Sequence, residues 1–367
     1  MRPSRHSTAA LVLTLLLAPG AWAQLLVGQT VGITGTVAAT VSEADQGAQL
    51  VFDAVNARGG IHGQKVELIR MDDAFDVKRT VDNARLLIED KKVLALFMTR
   101  GTPNTQALLP VLDKYDVALV GPSTGAIALH RPVPRHVFNV RATYQREAEK
   151  AVQHLTSIGL RTFAVVHAND SFGQDALEGA KRGLTAAKLE PVAVVPADRI
   201  KPDYAAIVPQ VAQAQAVIWV GSGTAVADGI KALRAAGSAA QVVTLSNNAS
   251  SGFIKALGDA SRGVIVTQVF PSERSVATPM VKEAMAAAKA KGISLSPAAL
   301  EGYASAKVLV EGLRRAGPNP TRQGVVAGLN SMKDFDLGGL EVSYSPQDHS
   351  GIDYAELSII SEGRFRR

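Results

Sequence analysis

Residues 93–125, VLALFMTRGTPNTQALLPVLDKYDVALVGPSTG, carry the fold in miniature. Short apolar runs at 93–97 and 117–120 have strand character, and the residues between them, opening at Thr99-Arg100-Gly101-Thr102-Pro103-Asn104-Thr105 and running toward Lys114, read as a helix. Neither run alternates apolar with polar residues, so neither predicts a strand with one wet face. Strand, helix, strand in that order predicts two parallel neighbours in a sheet covered on both sides. Each strand runs into a loop rich in glycine and hydroxyl groups, and the second loop is Gly121-Pro122-Ser123-Thr124-Gly125.

The alternation extends in both directions. Strand-like runs recur at 25–33, 65–70, 163–167, 192–195, 216–220 and 242–245, with amphipathic helical windows between them. Ala44, Ala48, Val51 and Val55 share one helical face; Ser42 with Asp45 resembles a capping box before it, and Gly59-Gly60 ends it. Tyr303, Ala306, Val310 and Leu313 form a later stripe that Gly317-Pro318 stops. There are too many strands for one tidy sheet, and the series restarts after Val140 with a helix at 144–158. The long helices between 276 and 317 need a sheet to cover, and the last strands, at 340–344 and 354–360, need partners. Two α/β lobes, each a doubly wound parallel sheet, meet both needs if the chain crosses between them more than once. No low-complexity linker is present, so the hinge is expected in short connections near Val140, Gln268 and Phe335. That places 24–140 with 269–334 in one lobe and 141–268 with 335–367 in the other.

The first residues predict export. Arg2 and Arg5 precede an apolar run at 9–18, and Ala21-Trp22-Ala23 offers the small-x-small pattern of a signal-peptidase site, so residues 1–23 are read as a leader cut before Gln24. The run is too short to cross a hydrocarbon core of roughly 30 Å as a helix. The chain has no cysteine, which excludes disulfides, thiolate metal ligands, a cysteine nucleophile and a lipid anchor on an N-terminal cysteine. A free, monomeric periplasmic protein, not inserted in a membrane, is therefore expected. The formal charge is +6, two units of it from Arg2 and Arg5, and the rest is scattered with few aromatics, so nucleic acid is not an expected partner.

In open α/β sheets ligands bind outside the carboxyl ends of the strands. The two hydroxyl-rich loops follow successive strands, so their free N–H groups and the positive ends of the helices they open converge. With Thr102 and Ser123 or Thr124 as hydroxyl donors, such a point suits a carboxylate, each charge-assisted bond contributing roughly 1.5–3 kcal/mol.

Several ordered motifs carry a resemblance: residues 31–35, Gly59-Gly60-Ile61-His62-Gly63, Asp72-Asp73, the loops at 102–105 and 121–125, His167-Ala168-Asn169-Asp170-Ser171-Phe172-Gly173, and Leu300-Glu301-Gly302-Tyr303. Together they resemble the periplasmic leucine/isoleucine/valine-binding proteins over nearly the whole mature chain. The resemblance implies a type I periplasmic-binding fold, with two lobes, three crossovers and a ligand trapped between them. It further implies that the ligand's carboxylate is held at Thr102, Ser123 and Gly125, with Thr124 adjacent, and covered by Phe172. A departure accompanies these matches. Where the family's amino-acid binders carry a Tyr and a Glu for the ammonium group, this chain has Ser222-Gly223 and Ser246-Asn247-Asn248. A buried ammonium without a carboxylate is costly. The ligand is thus expected either to lack an α-amino group or to have it met by neutral acceptors and Asp170, and aliphatic or aromatic acids stand beside branched-chain amino acids as candidates. Arg100 and Arg141 are candidates for a second anionic group.

The expected partner is the membrane permease of an ATP-driven importer; the alternative is a separate receptor or kinase that senses the closed form. Catalysis is not expected. There is no Gly-x-Ser-x-Gly elbow, no His-Glu-x-x-His pair and no Walker-type loop, Gly221-Ser222-Gly223 lacks the third glycine of a dinucleotide site, and the seven histidines have no metal-ligand spacing. No cofactor and no metal are expected.

Overall fold

The structure, a computed structural model, describes residues 24–367; the leader read at 1–23 lies outside the described residues. The first lobe is built on β1 (Gln24–Val31), α1 (Ala38–Ala57), β2 (Lys65–Asp72), α2 (Val77–Glu89), β3 (Ala95–Phe97), α3 (Thr102–Tyr115), β4 (Ala118–Val120) and β5 (Val137–Phe138). Its five strands are parallel and ordered β2-β1-β3-β4-β5. The second lobe follows with α4 (Tyr144–Ser157), β6 (Phe163–Ala168), α5 (Ser171–Ala186), β7 (Ala193–Ala197), α6 (Tyr204–Val211), β8 (Ala216–Val220), α7 (Gly223–Ala235), β9 (Gln241–Thr244), α8 (Ser251–Leu257) and β10 (Ile265–Gln268). These strands repeat the same winding, β7-β6-β8-β9-β10, again parallel.

The chain then returns to the first lobe. Helices α9 (Pro279–Ala290), α10 (Pro297–Arg315) and α11 (Arg322–Asn330) cover the face of its sheet that α1 also covers, and α2 and α3 cover the other. Helices α4 and α5 pack on one face of the second sheet, α6, α7 and α8 on the other. The central strands of both sheets are thus covered on both faces, which is why β3, β4, β6 and β8 read as apolar runs without alternation, while the edge strands β2 and β7 keep exposed positions.

A hairpin, β11 (Phe335–Asp336) with β12 (Glu341–Val342), precedes the last strands, β13 (Glu356–Ser361) and β14 (Arg364–Arg366). Strand β13 pairs antiparallel with β10 and β14 with β13, so the terminus closes the edge of the second sheet. The hairpin does not go with them. Leu337, Val342, Tyr344 and Ile352 are buried in the first lobe's core, where Tyr344 Oη donates to the Asn139 carbonyl at 2.5 Å and its ring meets the Phe138 ring edge-on at 5.3 Å. We therefore place the third crossover between Ile352 and Glu356 instead of near Phe335. The apolar positions of 335–352 decide it, because they have no other core to enter.

The start of α1 also differs from its expected form. The helix begins at Ala38, so Ser42 lies inside it and caps nothing. Asp45 is buried, accepts a hydrogen bond from Gln29 Nε2 at 2.9 Å and pairs with Arg70 at 3.1 Å. Burial raises its pKa, against the Arg70 charge and the Gln29 bond.

In each sheet the strand order reverses on either side of one strand pair, β1/β3 in the first and β6/β8 in the second. A crevice opens at such a switch point, outside the carboxyl ends of the strands. The loops after β1, β3 and β4 meet those after β6, β8 and β9 across it: Thr224 N donates to Thr36 O at 3.2 Å, Thr40 Oγ1 lies 3.0 Å from Ser250 Oγ, and Ser171 Oγ donates to Gln106 Oε1 at 2.7 Å. The lobes are closed on each other.

Candidate functional site

The first wall of the cleft grows from the loop after β3. Gly101, at φ +93, turns the chain into the first turn of α3, and a Cβ there would lie 2.8 Å from the Phe75 ring and 2.9 Å from Arg199 Nη2. Only glycine leaves room for both side chains. Thr102, the first residue of α3, is buried with its hydroxyl 2.7 Å from that of Thr124. Pro103 at the second helical position has no N–H to leave unpaired. Phe75 reaches the cleft because the chain turns through two left-handed residues, Ala74 (φ 47) and Phe75 (φ 63). Asp72 Oδ1 accepts the Ala74 N–H at 2.9 Å and Asp73 Oδ1 the Phe75 N–H at 2.8 Å, so this carboxylate pair holds a turn.

Arg100 crosses the gap. It is 4 % exposed, its Nη1 donates to Ser123 Oγ at 3.2 Å, and its Nη2 donates to the Asn247 carbonyl of the second lobe at 2.5 Å. Its Nε has no partner. Both partners are neutral, so no carboxylate touches this guanidinium. Burial accordingly lowers its pKa, with Glu301 and Tyr144 opposing and Arg141 reinforcing the shift.

The second wall rises from α5. Asp170 caps it, accepting the Gly173 N–H at 3.0 Å, and sets Phe172 into the cleft, its ring 4.7 Å from that of Tyr144. Arg199, in the connection after β7, lies over the Phe75 ring at 3.6 Å, donates to Asn104 Oδ1 at 2.7 Å and pairs with Asp170 Oδ2 at 3.7 Å. Asn247 Nδ2 donates to the Gly221 carbonyl at 2.9 Å and bonds Ser222 Oγ at 3.1 Å, which knits the loops after β8 and β9 together. The closed walls leave only a narrow space between them, about 10 Å³.

Of the residues singled out in the sequence, Arg100, Thr102, Ser123, Phe172, Ser222 and Asn247 line this space; Thr124, Gly125, Arg141 and Ser246 do not. Thr124 stands behind Thr102 as its hydroxyl partner. Gly125 is a packing position, since a Cβ there would lie 2.6 Å from the Ala142 carbonyl. Arg141 and Ser246 belong to a buried ionic cluster behind the cleft. Arg141 Nη2 pairs with Glu147 and donates to Ser246 Oγ at 2.6 Å, and Nη1 lies 3.6 Å from Glu301 Oε1. Glu147 Oε2 accepts the Ser246 N–H at 2.9 Å and the Thr267 hydroxyl. Burial disfavours the Arg141 charge, but the Glu147 and Glu301 carboxylates outweigh it and raise its pKa. Its charge is thus compensated by two carboxylates of the protein, although Nη1 itself has no hydrogen-bond partner.

Phe75, Tyr144 and Arg199 also line the space and were not foreseen. Tyr144 opens α4 and reads as a core residue, while Phe75 and Arg199 follow strands that carry no glycine- or hydroxyl-rich loop. Among the described residues no cluster of His, Cys, Asp or Glu fit to hold a metal occurs, and no helix is long and apolar enough to cross a membrane.

A family model described as periplasmic binding protein matches residues 24–360. The chain is 27% identical over 346 residues to the Leu/Ile/Val-binding protein BraC3 of Rhizobium johnstonii, covering 92% of each chain. It superposes on a substrate-binding periplasmic protein of Ralstonia solanacearum with a TM-score of 0.85 at 33% identity, over 92% of this chain and 97% of that one. A possible leucine/isoleucine/valine-binding protein of Rhodopirellula baltica gives 0.87 at 25% identity, over 95% and 97%. Two lobes of matching winding, a switch-point cleft closed between them and these likenesses lead to one conclusion: the chain belongs to the periplasmic binding protein family, of the leucine/isoleucine/valine-binding type, whose members bind solutes and are not enzymes.

Proposed function

We propose that this protein captures a small carboxylate-bearing solute in the periplasm, closes its lobes over it and hands it to the permease of an ATP-driven importer. One observation carries the ligand chemistry: the Arg100 guanidinium is buried between the lobes with no carboxylate bonded to it and Nε unpaired. A buried cation without an anionic partner is costly, and the ligand's carboxylate supplies the missing partner. The Thr102 and Ser123 hydroxyls and the first turn of α3 stand beside it as further donors. Arg100 touches groups of both lobes, so a carboxylate bound there stabilises the closed arrangement over the open one, which is the differential contact that closure needs.

Thermal unfolding tests this. A carboxylate solute at about a hundredfold excess over its Kd is expected to add roughly 2.7 kcal/mol of stability and raise Tm by several degrees. Arg100→Met is expected to lose that shift while unfolding cooperatively without ligand. A shift that survives in Arg100→Met would overturn the assignment of Arg100 as the carboxylate's partner.

A further inference from the structure

We propose that the cleft selects carboxylic acids without an ammonium group, with one neutral acceptor, Asn247 Oδ1, set aside for an uncharged donor such as a hydroxyl. This rests on the cleft being the solute site. The charges facing the space are two guanidinium groups, Arg100 and Arg199, and one carboxylate, Asp170.

Among the described residues Asp170 is the one carboxylate that lines the space, and its charge is already paired. One oxygen caps α5 through the Gly173 N–H; the other, Oδ2, has no hydrogen-bond partner but lies 3.7 Å from the Arg199 guanidinium. An ammonium brought to Asp170 also meets the Arg199 charge, which Phe75 and Asn104 hold in place. Glu301 and Glu147 lie outside the lining and pair with Arg141. The loop after β9 carries no acid, and most of its acceptors are committed. The Asn247 carbonyl takes Arg100 Nη2, Ser246 Oγ takes Arg141 Nη2, and Asn248 Oδ1 takes the Gly223 N–H at 2.8 Å.

One lining amide oxygen is left. Asn247 Oδ1 is buried without a partner, and the amide cannot be turned around, because its nitrogen donates to the Gly221 carbonyl, which only accepts. A neutral oxygen satisfies a hydroxyl fully but compensates an ammonium charge poorly. The cleft thus has a cationic pole at Arg100, an uncharged acceptor at Asn247 and an acid-base pair, Asp170 with Arg199, that repels a second cation.

Calorimetric titration with acids that share a skeleton and differ only at the α-carbon tests this: leucine, 2-hydroxy-4-methylpentanoate and 4-methylpentanoate, then phenylalanine, 3-phenyllactate and 3-phenylpropanoate. Within whichever skeleton binds, the hydroxy acid is expected to bind roughly tenfold or more tightly than the amino acid. An amino acid that binds as tightly as its hydroxy acid overturns the inference and leaves the carboxylate site standing. Binding by no carboxylate of either skeleton overturns both.

Discussion

Arg141 and Arg100 are both buried arginines at the meeting of the lobes, and their surroundings give them opposite roles. Arg141 lies against Glu147 and Glu301 and under the Ser246 hydroxyl, so its charge is compensated within the protein. Removing one partner of such a cluster strands the other charges in a dry place. Arg141→Met is expected to destabilise the unliganded protein by about 3–5 kcal/mol, measured by urea unfolding, whereas Arg100→Met, which strands no bonded carboxylate, is expected to cost far less. Equal losses would contradict this division. Here the sequence is a poor guide, because both arginines follow apolar strands in similar company and nothing local says which of them meets a glutamate. Glu147 and Glu301 are far from each other along the chain, and only the fold brings them to one guanidinium. Phe75 and Arg199 escape for the same reason, since each reaches the cleft by a turn whose geometry depends on carboxylates and walls elsewhere.

At the scale of elements, helical and strand periodicities were readable where an element was long or unusually apolar. The winding of both sheets, the Gly59-Gly60 stop after α1 and the Gly317-Pro318 stop after α10 follow from such patterns. The two-residue strand β5 has no periodicity to show, and Ser42 and Asp45 mimic a cap inside α1, where Asp45 in fact reaches into the protein to Gln29 and Arg70. A second feature of α1 is invisible without its partner. Gly47 and Gly302 let α1 and α10 cross at backbone contact: a Cβ on Gly47 would lie 1.8 Å from the Ala299 carbonyl, and one on Gly302 1.8 Å from that of Ala44. Backbone cannot yield as a side-chain tip does. Gly47→Ala is expected to cost roughly 1–3 kcal/mol or more in urea unfolding despite alanine's better helix propensity, and a gain in stability would contradict the close crossing.

For the whole molecule, closure has a pH dependence built into its seam. Asp175 on α5 accepts the Ile127 N–H of the first lobe at 3.1 Å and the Gln145 amide at 2.9 Å. Burial in the seam raises its pKa from 3.8 to about 6, with those two bonds and Arg182 opposing and Glu178 adding slightly. The closed protein therefore holds this proton more tightly than the unfolded chain. Its contribution favours folding below about pH 4 and is lost as pH rises through about 6, where the carboxylate must ionise in place. Tm measured against pH is expected to show this loss in the wild type and not in Asp175→Asn; identical profiles would contradict it.

The central claim concerns one bond, between a solute carboxylate and Arg100, and a crystal structure of the protein with a bound acid tests it most directly. The expected result is a carboxylate oxygen roughly 3 Å from an Arg100 nitrogen, with the lobes closed as here. A ligand whose carboxylate is held elsewhere, with Arg100 still bonded only to Ser123 and Asn247, would contradict the account.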